Sequence, residues 1–298
     1  MTPKEAARAA RAEQRRILAE RTAFMRATRD RIVALLNHAL EEIKVTLAGA
    51  PTDYERWSLP QLAAEIRQTL DKFGEDAGAE ISTAAGKAWE AGAAVVDKPI
   101  EAAGIRLAGV LPMLDTRQLL AMRAFMVDRI KDIGVQAANR ISNELGLVVI
   151  GTQSPSEAIT NITRVLGEPS RNRATTIVRT ELGRTFAVAS FERLKLAADK
   201  VPGLKKQWRK SGKVHPRLHH ELADGQVQEV NDPFILAGGK VKLMYPHDPK
   251  APAGEVINCG CLALAFKDDW AVSRPGRAPG GRMEDGVRIQ DLPDAEAA

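Results

Sequence analysis

A long stretch without helix-breaking residues, at the start of the chain, constrains the fold most. From Ala6 to Ala48 the sequence contains neither proline nor glycine. Apolar side chains recur there at spacings of four or seven residues, which places them on one face of an α-helix. They are Leu18, Met25, Ile32, Leu36 and Ile43. A continuous helix would reach roughly 60 Å, so it needs a partner helix or another chain to lie against. The alternative is a helix broken in two near the sequence RTAFMRATRD.

A second helix is predicted from Ser58, because Pro60 is tolerated in a first helical turn. Alanine-rich helical sequence continues to about Val96, and the sequence DKPIEAAGI after it indicates a break. A third helix carries an apolar stripe at helical spacing. This stripe consists of Leu119, Met122, Met126, Ile130, Ile133, Ala137 and Ile141.

Two further helices are predicted before the sequence changes character. A turn over residues 151–155 precedes a short helix with Glu157 in its first turn, and a longer helix runs from Asn172 to about Ala198. After Gly203, short apolar runs separated by turn-forming residues indicate a small, irregular β-rich unit. The runs are LKKQWRKS, QVQEV, PFILAGG, KVKLMYP and CLALAF.

The expected fold is therefore mainly α, in which long N-terminal helices precede a small α+β C-terminal domain and an extended tail. We place the helical region at residues 1–145, the C-terminal domain at 146–270 and the tail at 271–298. Proline, glycine and charge dominate the last segment, so we expect it to be extended or disordered.

Basic residues concentrate in one part of the chain. Residues 161–220 hold 14 Lys and Arg against 4 Asp and Glu, whereas the whole chain has a net charge of +5. Such a segment can contact phosphates without reading sequence, and the alternative is a solvated helix face paired with an acidic neighbouring chain. The candidate nucleic-acid-binding residues are Lys205, Lys206, Arg209, Lys210 and Lys213.

The only two cysteines, Cys259 and Cys261, are separated by a single glycine. Two thiolates this close can share one soft metal ion, typically Zn²⁺, whose structural sites are tetrahedral and need a second pair of ligands. His215 and His219 are four residues apart, so one helical turn would direct both rings the same way. In that register His220 points elsewhere.

Other interpretations of the cysteine pair stay open. His247 is a spare candidate ligand. The two thiols can also be buried as small apolar groups, and a disulfide across one residue is possible only with strain. Two cysteines form no disulfide framework, which favours a reducing compartment.

Several classes of protein are not indicated by the sequence. It has no run of eighteen apolar residues and no apolar segment typical of a signal peptide at its N-terminus. It also lacks the GxSxG, P-loop, GxGxxG and HExxH patterns. We therefore expect a protein that is not an enzyme, with a metal-dependent nuclease or toxin domain as the weakest alternative.

Taken in order, the C-terminal motifs resemble the Mu F-like minor head proteins, or head morphogenesis proteins, of tailed phages and prophages. In that family an Arg-Thr-Glu helix precedes a Trp-containing strand, a turn with His or Cys, a DGQ sequence and a final NCRC block. The match covers about residues 145–266, and here the last block reads NCGC. The matching residues are Arg179, Thr180, Glu181, Trp208, His219, Asp224, Gly225, Gln226, Pro246, Asp248, Pro249, Asn258, Cys259 and Cys261.

Two departures accompany the resemblance. Ser211 or Gly212 stands where the family usually has an acidic residue. His215 and His219 stand where some members carry cysteines. Replacement of Cys by His would preserve a metal site formed by His215, His219, Cys259 and Cys261, with Zn²⁺ in a structural role.

The resemblance implies a structural protein of the virion that acts at the portal vertex or in the capsid interior during head assembly and DNA packaging. Residues 1–145 would then dock on the portal protein, the major capsid protein or further copies of the chain. The basic segment would face packaged DNA. The expected location is the phage head, and the host cytoplasm during assembly; a nonspecific nucleic-acid-binding module of another origin is the alternative.

Overall fold

A computed structural model describes residues 1–48, 58–107, 110–211, 217–270, 283–284 and 287–288. It confirms the predicted class, because long helices occupy the N-terminal part and short strands appear only after residue 204. Within these described ranges, none of the helices has an apolar stretch long enough to cross a membrane.

Helix α1 spans Pro3–Ala48 without interruption. The continuous helix is confirmed, and the alternative of a break near residues 21–30 is wrong. Ile32, Leu36 and Ile43 from the predicted stripe are completely buried. Burial of this stripe supports a helix that propensity alone would leave marginal.

Helix α2 spans Ser58–Ala102 and passes through Pro99. The break predicted in DKPIEAAGI lies near the end of that stretch, because the helix continues to Ala102, six residues beyond the predicted Val96. Val95, Val96 and Ile100 are fully buried on either side of the proline, and the Ala103 N–H donates to the Pro99 carbonyl at 3.0 Å. Packing of the last turn thus outweighs the one hydrogen bond that proline removes.

Three helices follow as predicted, with one shifted boundary. Helix α3 spans Arg117–Ile150, α4 spans Pro155–Leu166 and α5 spans Glu168–Ala198. Helix α5 begins four residues before the predicted Asn172. Ser154 caps α4, because its Oγ accepts from the Glu157 N–H at 3.3 Å while the Glu157 carboxylate accepts from the Ser154 N–H at 2.9 Å.

The chain forms two compact units. One comprises Met1–Ala23, Lys87–Thr116 and Leu182–Ala298, and the other comprises Phe24–Gly86 and Arg117–Glu181. Helices α1, α2 and α5 each contribute to both units, so the packing does not follow the linear division predicted at residues 145 and 270. That division stays a prediction about function.

The second unit is a helical assembly. Apolar side chains from α1, α2, α3 and α4 form its core, and Gly134 lets α3 approach the Leu70 carbonyl of α2 closely. The buried members of this core are Leu40, Ile43, Leu47, Leu62, Ile66, Leu70, Ala137, Ala138, Ile141, Leu145, Ile162 and Leu166.

The first unit contains the predicted β-rich region. Strands β1 (Lys205–Arg209), β2 (Val227–Glu229), β3 (Phe234–Leu236), β4 (Val241–Leu243) and β5 (Leu262–Phe266) each fall within one of the five predicted apolar runs. They form an antiparallel sheet in the order β2-β1-β5 and a separate β3-β4 pair. The sheet register pairs Arg209 with Leu262, which brings Cys261 beside the end of β1.

Several short elements accompany these strands. One-turn helices α6 (Leu218–Leu222) and α7 (Ala253–Val256) lie before β2 and after β4 in sequence. Beyond residue 270 the structure describes only β6 (Met283–Glu284) and β7 (Val287–Arg288), which pair with each other. The rest of the predicted tail lies outside the described residues.

Two glycines in helix interiors give a matched test of the packing. A Cβ added at Gly92 of α2 would lie 2.4 Å from the Phe186 carbonyl oxygen of α5, whereas one at Gly146 of α3 would meet nothing within 4 Å. Gly92→Ala should lower the free energy of unfolding by about 1–3 kcal/mol through overpacking. Gly146→Ala should raise it by up to about 1 kcal/mol. Urea unfolding of both variants measures this difference, and equal stability of the two would contradict the described α2–α5 contact.

Candidate metal centre

The two cysteines lie in the turn that joins α7 to β5. Asn258 adopts a positive φ of 54°, which reverses the chain after α7, and the Cys259 N–H donates to the Val256 carbonyl at 3.2 Å. The Cys261 N–H then points at the Cys259 Sγ, 3.4 Å away. Both thiols are buried and free, so the structure contains no disulfide between them.

One histidine meets both sulfur atoms. The Nδ1 atom of His220, on α6, lies 3.6 Å from the Sγ of Cys259 and 3.6 Å from the Sγ of Cys261. All three side chains are buried, and their ligand atoms lie within 4.8 Å of one another. Thiolate sulfur and imidazole nitrogen are the donors that soft and borderline metal ions prefer. This group could therefore hold a metal ion.

Trp208 fixes the helix that carries His220. Its indole Nε1–H donates to the His220 carbonyl at 3.2 Å, and its ring meets the His220 ring edge-on with centroids 5.3 Å apart. The Trp208 backbone bonds to Gly225 and Gln226 at 2.9 and 2.8 Å. The tryptophan strand and the DGQ turn thus position the imidazole together.

A carboxylate lies on the opposite side of the His220 ring. The Oε2 atom of Glu255, on α7, is 2.7 Å from the Nε2 atom of His220 and 2.7 Å from the Nε2 atom of His219. Burial raises the pKa of Glu255, but the hydrogen bonds from the two histidines outweigh it and hold the pKa below its usual value. The carboxylate is therefore ionised at neutral pH.

The two thiols affect each other's ionisation. The hydrogen bond from Cys261, with a further contribution from His220, lowers the pKa of Cys259. The same hydrogen bond to Cys259, together with burial, raises the pKa of Cys261. The thiol of Cys259 is thus the more acidic of the two, and both thiols would have to lose their protons to bind a metal ion.

The structure corrects the predicted histidine set. The sequence placed His219 with the cysteines and turned His220 away, but His220 meets the cysteines and His219 meets Glu255. The reason is that α6 begins at Leu218, after an extended Arg217, so the helical register assumed for the prediction does not determine where the His219 ring points. His215 lies outside the described residues.

The sequence indicates the histidines of this site but not its carboxylate. His219 and His220 are adjacent, and neighbouring residues on a helical turn face different directions, so only one of the two rings was expected to face the cysteines. Glu255 was missed, because nothing in the sequence distinguishes it from other acidic residues. Only the fold of α7 against α6 selects it.

The spare candidate, His247, is not one of the three side chains of this group, although it lies close enough to Cys259 to interact with it electrostatically. It is completely buried, has a positive φ of 69° and packs against α5. A Cβ added at Gly183 would lie 2.8 Å from its Nε2 atom, so the glycine makes room for the ring. Burial lowers the pKa of His247 to about 4, which keeps the ring neutral.

The Arg-Thr-Glu sequence of α5 is divided between surface and interior. Arg179 is exposed, whereas Thr180 and Glu181 are buried. Glu181 lies 3.8 Å from the guanidinium of Arg129 on α3. Glu181 thus links α5 to α3 within the helical unit.

Lys206 corrects the predicted nucleic-acid-binding set. Its side chain is completely buried, its Nζ donates to the Met244 carbonyl at 2.7 Å, and its ammonium lies 4.8 Å from the ring centre of Phe191. Alternation along β1 turns this residue inward while Lys205 and Arg209 face outward. Lys206 cannot contact phosphate.

The other described members of that set lie beside carboxylates. The Lys205 Nζ is 2.9 Å from Asp268, Arg209 is 3.8 Å from Asp224, and Lys210 forms an ion pair with Glu221. Lys213 lies outside the described residues. Contact of Lys205, Arg209 and Lys210 with DNA stays a prediction, and it would have to compete with these ion pairs.

Comparisons with known proteins give one match. The uncharacterized protein YqbB of Bacillus subtilis is 36% identical over 100 residues, which are 33% of this chain and 32% of YqbB. The alignment thus spans about a third of that relative. No protein-family model matches the chain, and no solved structure matches it.

The buried lysine predicts an unusual pH dependence. Burial lowers the pKa of Lys206 to about 8 from its ordinary 10.5, so between these values the unfolded chain binds more protons than the folded one. The free energy of unfolding should therefore rise with pH in this window, by on the order of 1–3 kcal/mol. Lys206→Met should remove that rise.

Urea unfolding at pH 7.5 to 10.5 measures the effect as a difference between wild type and variant, which cancels other titrating groups. Lys205→Met is the matched control. A hydrogen bond to Asp268 raises the pKa of Lys205, so its contribution has the opposite sign and is lost at high pH. Identical pH profiles for wild type and Lys206→Met would show that the ammonium is not desolvated.

Proposed function

We propose that this chain is a structural minor head protein of a tailed phage or prophage, which acts at the portal vertex or in the capsid interior during head assembly and DNA packaging. The proposal rests on the ordered C-terminal motifs and on what their residues do in the fold. Trp208, Cys259 and Cys261 belong to a single buried cluster, and Gly225 bonds to the Trp208 backbone.

The burial of these residues favours a structural role over a catalytic one. Trp208 is completely buried, and Cys259 and Cys261 are 5% and 2% exposed. Side chains in such positions stabilise a domain, whereas catalytic groups must reach a substrate. The residues that carry the resemblance therefore stabilise the C-terminal part of the first unit.

The helical region has an exposed apolar surface that is suited to bind an assembly partner. Helix α3 leaves five large apolar side chains exposed, although its opposite face fills the helical core. They are Leu120, Phe125, Val135, Leu147 and Ile150. Exposed apolar surface of this kind is typical of a protein–protein contact, and the portal protein, the major capsid protein or another copy of the chain would supply the partner.

We also propose that the cysteine–histidine group holds a structural Zn²⁺ ion. Zinc binds sulfur at about 2.3 Å and nitrogen at about 2.0–2.1 Å, so a tetrahedral angle separates the two donor atoms by about 3.6 Å. The two observed Nδ1–Sγ distances are 3.6 Å each. This agreement is the observation that supports the ion most directly.

A structural site needs a fourth ligand besides Cys259, Cys261 and His220. The sequence predicts His215 as a ligand, and we propose it as the fourth one. Arg217, two residues further on, donates to the Ile257 carbonyl at 2.8 Å, next to the cysteine turn. A bound ion would tie α6, the cysteine turn and β5 together, which a core of this small size needs.

The assembly role predicts a place in the particle. Phage particles purified from an induced host that encodes this chain should contain it in a few copies per portal. Mass spectrometry of density-purified heads measures this, with the major capsid protein as the internal reference. Heads that carry capsid and portal proteins but lack this chain at every stage of assembly would contradict the proposal.

The zinc site predicts a metal content. Protein purified without chelator should carry about one equivalent of zinc, and Cys259→Ser and Cys261→Ser should each lose it, since three ligands hold a structural ion far less well than four. The double variant should be no worse than either single one. Lys210→Gln, at the end of β1, is the control and should keep the ion.

Elemental analysis with a thiol count decides the outcome. Less than about a tenth of an equivalent of zinc, with two reactive thiols after unfolding, would mean that the cysteines are plain buried groups. The helical unit should stay folded in every variant, because its core holds none of these residues.

A further inference from the structure

We propose that Glu255 is the outer carboxylate of the zinc centre, which holds His220 with its proton on Nε2 so that the imidazole binds the ion through Nδ1. This inference rests on the zinc site of the proposed function. Glu255 lies outside the proposed ligand set and acts through His220 as a positioning residue.

The first step is the chemistry of a neutral imidazole, which has one N–H donor and one lone pair. The Nε2 atom of His220 lies 2.7 Å from the Glu255 carboxylate. A carboxylate oxygen at this distance is suited to accept from an N–H, so the geometry assigns the proton to Nε2. The lone pair is then on Nδ1, which is the atom that faces both cysteines.

The second step is the role of the carboxylate when the ion is bound. A metal-binding histidine usually donates its other N–H to a carboxylate or carbonyl, which fixes the ring orientation and makes the ligand nitrogen more basic. Glu255 has the position and the charge for this. Its side chain is only 14% exposed, so solvent screens the interaction weakly.

The third step explains why His219 is not a ligand. Its Nε2 atom is 2.7 Å from the same carboxylate oxygen, and its ring lies edge-on to that of His220 with centroids 4.9 Å apart. His219 therefore supports Glu255 from the side opposite the thiols. A single carboxylate oxygen thus orders both histidines, one as a ligand and one as a second donor.

Nitrogen-15 NMR of the full chain tests the protonation directly. Long-range proton–nitrogen spectra should show His220 with a protonated Nε2 in both metal-free and zinc-loaded protein, and zinc should shift the Nδ1 resonance alone. A zinc-induced shift of Nε2, or a mixture of the two tautomers in the metal-free protein, would overturn the assignment. Both readouts are insensitive to a merely structural role of Glu255.

Zinc affinity gives the second test, by competition with a chromophoric chelator. Glu255→Gln keeps an acceptor but loses the charge, and Glu255→Ala loses both. Removal of an outer carboxylate typically weakens metal binding 10–100-fold, so we expect about tenfold for Gln and towards 100-fold for Ala. Stoichiometry should stay at one ion, because the ligands are intact.

Two controls separate positioning from general damage. Glu221→Gln makes the same change on α6, where the carboxylate pairs with Lys210 instead, and it should leave affinity unchanged. His219→Ala should weaken binding less than Glu255→Ala, since the acceptor for His220 remains. Unchanged affinity in both Glu255 variants would overturn this inference while leaving the zinc site in place, whereas absence of zinc from wild-type protein would overturn both.

Discussion

The burial of Trp208 is the interaction on which the C-terminal part of the first unit depends. Its indole lies at the centre of the cluster that includes Phe234, Leu236 and Leu243 from the second pair of strands. Its ring meets Phe234 edge-on with centroids 5.3 Å apart, and its N–H holds the backbone of His220. An indole is suited to this position because it combines a large apolar surface with one donor that must find a partner when buried.

The position of Trp208 helps to determine the geometry of the candidate metal centre. Helix α6 is a single turn and has too few internal hydrogen bonds to be stable alone, so Trp208 and the Glu255 carboxylate decide where its histidines point. The cysteine turn follows α7 directly, and Asn258 adopts a positive φ there. Because Glu255 of α7 contacts His220, the segment that carries the thiols also helps to hold the imidazole.

The elements with strong periodicity were predictable, because apolar stripes at helical spacing must be buried somewhere. Helix α1 was expected from its stripe, and each of the five short runs after Gly203 holds a strand. The end of α2 was not predictable, since the penalty of Pro99 is local while the burial of Val95 and Ile100 that offsets it comes from distant residues. Lys206 faces inward because it lies two residues before the buried Trp208, on the same face of β1; counting basic residues along the segment does not reveal this.

The positions of the site residues also depend on both nearby and distant parts of the chain. The Cys-x-Cys pair and the histidine cluster could be read from the sequence as ligand types. The sequence does not show that the Nδ1 atom of His220 faces both sulfurs while its Nε2 atom meets a carboxylate 35 residues away in the chain. A carboxylate next to one imidazole nitrogen leaves the other nitrogen as the electron donor. In the proposed site a divalent ion would balance the charge of two thiolates. The Glu255 carboxylate, on the other side of His220, would make the imidazole nitrogen that faces the sulfurs a stronger ligand.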